Sequence, residues 1–230
     1  MRAILATLSF LVLMQAPSAF AQNGPVVVEL YTSQGCASCP PADEILLDLA
    51  DREDVIALAL HVDYWDYIGW KDIFGRPEYT QRQHAYARAA QVTTVYTPQM
   101  VLNGQDQVVG SRGMKVAEAI EAHRARGQIF DVRLIRSGGQ VTIRAAAGPA
   151  GEYVVQLVRF LPRATVEIKR GENAGRTLTY ANIVTAWDVL GSWDGRTALN
   201  TVATVSGDDA VAVLIQHAGY GPIVGAAQMR

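Results

Sequence analysis

Val26-Val27-Val28-Glu29-Leu30-Tyr31-Thr32-Ser33-Gln34-Gly35-Cys36-Ala37-Ser38-Cys39-Pro40-Pro41-Ala42-Asp43 reads as a strand, a turn and the start of a helix. Val26 to Tyr31 is an unbroken, β-branched apolar run, the pattern of a strand buried on both faces. Thr32 to Gly35 is a polar turn. Pro40 and Pro41 suit the first turn of a helix, where an N–H has no partner to lose. From Asp43 to Arg52 the pattern is helical, with Ile45, Leu46 and Leu49 on one stripe. Val55 to Val62 is a second buried strand. Strand, C-x-x-C, helix, strand is a βαβ unit, so its two strands are expected to run parallel.

Downstream, Asp63 to Gly75 is aromatic and irregular, with Tyr64, Trp65, Tyr67, Trp70 and Phe74. Pro77 to Gln91 reads as a helix, and residues 63–91 together read as an insertion. Gln99–Leu102 and Gln107–Val109 flank an Asn103-Gly104 turn, a strong hairpin signal. Gly113 opens a last helix through His123. Beyond Gly127 come short apolar runs separated by turn residues, the spacing of a β-sandwich. The expected architecture is therefore an α/β domain over 22–126 followed by an all-β, sandwich-like domain over 127–230.

The start of the chain reads as a signal peptide over 1–21: Arg2, an apolar stretch from Ala3 to Met14, and Ala19-Phe20-Ala21 as the cleavage site. The mature protein is then expected in the periplasm or outside the cell, with no membrane span. A net charge of −2 and the lack of any basic cluster argue against a nucleic-acid partner.

Two cysteines exist, three positions apart. Such a pair closes too small a loop to staple a fold, which leaves redox chemistry or metal binding. At a helix start, unpaired N–H groups and the helix dipole favour thiolate over thiol. Cys36 is accordingly read as the nucleophile and Cys39 as the resolving thiol. Closed zinc sites have four protein ligands, and no second C-x-x-C or paired His is present, so no metal and no cofactor is expected.

With these residues in place, the chain resembles the thioredoxin superfamily from Val26 to His123. The likeness rests on Cys36-Ala37-Ser38-Cys39-Pro40 after a strand and on Tyr96-Thr97-Pro98 before the hairpin. It implies a thioredoxin-like N-terminal domain with Pro98 in a cis bond facing the cysteines, and Thr97 offering backbone groups to an extended substrate peptide. More closely, Glu29 to Asp43 and Gly171-Glu172-Asn173-Ala174-Gly175-Arg176-Thr177-Leu178 resemble an uncharacterised secreted bacterial family, catalogued as domain of unknown function twelve-twenty-three. The dipeptide Ala37-Ser38 and the aromatic insertion depart from ordinary thioredoxin.

Thioredoxin-like enzymes often carry a buried carboxylate on the strand before the motif. Glu29 stands there, one residue further from the first cysteine than is common. Two readings are open: a desolvated general base, or an acid paired with a nearby donor. His61 and Asp63 end the next strand, where ligands of open α/β sheets gather. They read as accessories to proton transfer or metal ligation, or as a structural His and a strand-end acid. Glu172, Asn173, Arg176, Trp187 and Asp188 read as turn and packing residues.

The leading expectation is an extracytoplasmic thiol–disulfide oxidoreductase acting on disulfide- or thiol-containing proteins, with an unidentified redox partner. Alternatives are thiolate metal delivery, copper above all, and a non-catalytic binding protein on the same scaffold.

Overall fold

The computed structural model describes residues 24–230; the signal-peptide reading lies outside them. In chain order the elements are β1 (Val26–Thr32), α1 (Pro40–Ala50), β2 (Val55–His61), a 3-10 turn at Asp66–Ile68, α2 (Pro77–Ala89), β3 (Gln99–Leu102), β4 (Asp106–Val109), α3 (Gly113–Arg126), β5 (Val132–Ser137), β6 (Gln140–Ala145), β7 (Tyr153–Glu167), β8 (Thr177–Trp193), β9 (Leu199–Thr204), β10 (Ala210–His217) and β11 (Ile223–Met229).

The expected α/β domain followed by a separate all-β domain is not what forms. The described chain is mostly β, and its main feature is one mixed sheet of eight strands in the order β11-β10-β7-β8-β2-β1-β3-β4. Strands from both halves of the chain share it. β1 and β2 are parallel, from Val26 opposite Val55 to Thr32 opposite His61. The free side of β2 is then taken by β8, also parallel, with Ala59 opposite Ile183. Asn182 sits there at φ +46°, and its side-chain amide donates to the carbonyl of Ala57 at 2.8 Å. An apolar strand with an open edge must pair or be covered; here the long β7–β8 hairpin does it.

The alternation of side chains along β1 and β2 sorts them onto two faces. Val28, Leu30, Ala57 and Ala59 meet Ala42, Leu46 and Leu49 of α1 and Val116 and Ile120 of α3. Val27, Tyr31, Ile56, Leu58 and Leu60 face the other way, onto Tyr79 and Tyr86 of α2 together with Phe160, Val184 and Leu214. A third core lies where the small sheet β5-β6-β9 packs on β7, β10 and β11, with Ile143, Leu157 and Val213 fully buried. The Asn103-Gly104 turn forms as read, both residues at positive φ. Asn103 also accepts a hydrogen bond from the Val27 N–H at 2.8 Å and so ties the hairpin to β1.

Candidate functional site around the Cys36–Cys39 disulfide

Cys36 and Cys39 form a disulfide, with Cα atoms 5.4 Å apart. Cys39 is the N-cap of α1 and already has helical backbone angles. Pro40 and Pro41 occupy the first turn, so two N–H donors usual at a helix start are missing. Hydroxyls stand there instead. Thr97 Oγ1 donates to Cys36 Sγ at 3.3 Å, and Ser38 Oγ lies 3.4 Å from the same sulfur. Trp65 Nε1 donates to Thr97 Oγ1 at 2.7 Å.

The Thr97–Pro98 peptide bond is cis. Gly110 lets Pro98 and α1 come together: a Cβ there would lie 3.1 Å from Ala42 Cβ and 3.3 Å from Pro98 Cβ. Thr97 and Pro98 therefore adjoin the motif. Cys36 is only 1% exposed.

The loop before the disulfide is held from several sides. Asp72 accepts from the Gln34 N–H at 2.7 Å, and Trp70 Nε1 donates to Gln34 Oε1 at 2.8 Å. Asn173 Nδ2 donates to the carbonyls of Gln34 (2.9 Å) and Cys36 (3.0 Å). Asn173 lies at the tip of the β7–β8 hairpin, so the second half of the chain positions the motif. It was read as a turn residue. Its place in the Gly171–Leu178 motif was the only signal available.

Glu29 is corrected. It projects from β1 with Tyr31, on the face opposite α1, and accepts from Arg82 Nε at 2.7 Å, Arg82 Nη2 at 2.9 Å and Tyr86 OH at 2.7 Å. It is a buried ion-pair partner and no base for the cysteines. Burial works against the Arg82 charge, but Glu29 and Tyr86 more than offset it, so Arg82 stays charged. Asp63 is corrected too: half-buried, it accepts from Thr80 Oγ1 at 2.6 Å and anchors α2 to the end of β2.

His61 does face α1. Its Nδ1 lies 2.7 Å from Asp72 Oδ2, both side chains fully buried. The acid nearest the motif on its own helix is one sequence reasoning passed over, Asp43. Its Oδ1 accepts from Thr32 Oγ1 at 2.8 Å. Burial pushes its pKa up to about 7, although His61 and the Thr32 hydrogen bond pull it down. For Asp72 burial also acts upward, but the His61 charge and the N–H groups of Gln34 and Phe74 outweigh it and hold the carboxyl low. The signal for Asp43 was its position four after Cys39, hence on the same helix face. Among the described residues no group of three or more His, Cys, Asp or Glu is arranged to hold a metal ion.

Fold and site together define a mixed-sheet protein with a C-x-x-C disulfide at a helix start, set against a cis-proline loop. The chain belongs to the family described as protein of unknown function (DUF1223), whose profile matches residues 27–216. It is similar to a protein of Agrobacterium tumefaciens solved by X-ray crystallography: 36% identity and a TM-score of 0.79, over 91% of this chain and 96% of that one. HBP35 of Porphyromonas gingivalis is similar in fold alone, at 15% identity and a TM-score of 0.62, over 90% of this chain and 75% of that one. No curated protein matches.

Proposed function

We propose that the protein is a thiol–disulfide oxidoreductase of the thioredoxin superfamily's chemical type, acting outside the cytoplasm on protein thiols or disulfides with a separate redox partner. The observation that carries this reading is the Thr97 hydroxyl donating to Cys36 Sγ. A structural crosslink needs no hydroxyl aimed at its sulfur, whereas a thiolate gains from each donor. In the reduced protein Cys36 attacks a substrate disulfide. One sulfur of the substrate leaves as thiolate, and Cys36 holds the other in a mixed disulfide. Cys39 then attacks Cys36, and the second substrate thiolate departs. Run backwards, the same steps oxidise a substrate dithiol. No helix among the described residues is long and apolar enough to cross a membrane.

The two cysteines should behave unequally. Cys39→Ser, expressed with its leader, is expected to accumulate mixed disulfides with substrates; Cys36→Ser is expected to form almost none. Non-reducing electrophoresis with mass spectrometry of the adducts reads the difference. Equal trapping by both variants removes the asymmetry, and trapping by neither leaves a structural disulfide.

A further inference from the structure

The motif Gly171-Glu172-Asn173-Ala174-Gly175-Arg176 forms the tip of the β7–β8 hairpin, and no step of the thiol–disulfide exchange above involves it. Its backbone is held in a defined loop. The Ile168 N–H donates to the Arg176 carbonyl at 2.9 Å, and the Gly175 N–H to the Ile168 carbonyl at 2.8 Å. Gly171, at φ +77°, lets the tip lie on Trp70, since a Cβ there would stand 3.2 Å from Trp70 Cβ. Trp70 in turn bonds the Gln34 side chain.

Asn173 is buried, and every hydrogen of its amide is used. Nδ2 donates to the carbonyls of Gln34 and Cys36, while Oδ1 accepts from Arg176 Nη1 at 3.0 Å. An amide turned end for end would set its oxygen against two carbonyls and its NH2 against a guanidinium, so the contacts fix its orientation. The Cys36 carbonyl is thereby a junction. Besides Asn173 it accepts the Cys39 N–H at 3.2 Å, the bond that closes the turn between the two cysteines. Cys39 begins α1 and is carried by the helix, whereas Cys36 belongs to the loop.

We infer that the hairpin tip sets the balance between dithiol and disulfide. Asn173, oriented by Arg176, is a positioning residue that holds the Cys36 turn in the geometry of the disulfide and makes it harder to reduce. The inference rests on the thiol–disulfide reading above. In a glutathione buffer, two glutathione thiols give up two electrons and two protons and become one glutathione disulfide. The Cys36–Cys39 bond takes them up and splits into two thiols. The two sulfurs then separate to non-bonded contact, and the loop residue yields before the helical one. The Asn173 bonds oppose that displacement, so they are stronger in the disulfide state. A contact stronger in one state shifts the equilibrium toward that state, and a contact equally strong in both shifts nothing.

The full chain, exported with its leader, is equilibrated in glutathione buffers of graded ratio, quenched with acid, alkylated and weighed by mass spectrometry. Asn173→Ala should move the equilibrium about tenfold toward the dithiol, the scale of one or two hydrogen bonds made in one state only. That is a reduction potential about 30 mV higher. Arg176→Gln removes only the group that orients the amide and should move it the same way by about threefold. Arg176 is exposed, so this variant decides the matter if Asn173→Ala does not fold. Iodoacetamide alkylation of reduced Cys36 against pH should overlay the wild type in both, because the amide touches a carbonyl and not the sulfur. A merely structural tip stabilises both redox states alike. An unmoved potential in either folded variant, or a move toward the disulfide, therefore overturns the proposal. So does a potential shift matched by an equal shift of the alkylation profile, which would put the effect on the thiolate charge. The reading beneath fails separately: if neither cysteine variant traps a substrate while Asn173→Ala still shifts the potential, the oxidoreductase falls and the positioning role stands.

Discussion

Asp43 of α1 and Glu29 of β1 are both buried acids, and their neighbours hold them differently. Glu29 is matched by a two-pronged Arg82 and two phenols, with both carboxylate oxygens bonded. Removing one member of such a buried pair typically costs about 3–5 kcal/mol, so its place is structural. Asp43 has one oxygen bonded and one bare, and its pKa rises from 3.8 to about 7. The sign follows from proton counting. Between those values the native state holds the proton and the unfolded state has lost it, so this acid makes the protein less stable as pH rises, with the loss complete above about pH 7. Asp43→Asn removes the titration. Its stability relative to wild type should therefore improve by about 2 kcal/mol between pH 5 and pH 8. Urea unfolding of both proteins at the two pH values measures this, and a constant difference would refute it.

At the scale of elements, the start of α1 is unusual because its first turn contributes two prolines. The dipole remains, but two backbone donors are gone. The cis-proline loop compensates by bringing the Thr97 hydroxyl to Cys36. Hydrogen bonds to charged groups contribute about 1.5–3 kcal/mol, so Thr97→Val should leave roughly tenfold less thiolate at a given pH below the Cys36 pKa. Iodoacetamide alkylation of Cys36 against pH reads this directly. A superimposable curve would mean that the hydroxyl does not stabilise the thiolate. Trp65 belongs to the same unit, since its indole holds the Thr97 hydroxyl and its Cβ packs on Gly35, where any side chain would come within 3.2 Å. Through Trp65, the aromatic stretch that read as either groove or local core thus holds the Thr97 hydroxyl beside the disulfide.

At the scale of the molecule, the motif is completed from far along the chain. β8 closes the open side of β2, Tyr79 of α2 donates to the Val184 carbonyl at 2.9 Å, and the hairpin tip lends Asn173 to the Cys36 loop. The core below α2 mixes Val27, Tyr31 and Leu58 with Val158, Phe160 and Leu214. A fragment of residues 22–126 would leave that apolar face and the β2 edge bare. It should lack a cooperative unfolding transition by circular dichroism, or aggregate. A sharp two-state transition from the fragment alone would show that the first half folds without its partner strands.

What the amino-acid sequence determined by itself is local. The run of Val26–Tyr31, the prolines after Cys39, the apolar stripe of α1 and the Asn103-Gly104 turn each specify backbone conformation through neighbours a few residues away. The parallel pairing of β1 with β2 follows from the short helical crossover between them. The tertiary structure alone decided which face of the sheet Glu29 occupies and which strand lies beside β2. A strand buried on both faces has no polar side to reveal where Glu29 points, because its alternation is apolar throughout. An apolar strand such as β8 also carries no mark of its partner: period-two patterning says that a strand is buried, and only long-range packing chooses what buries it.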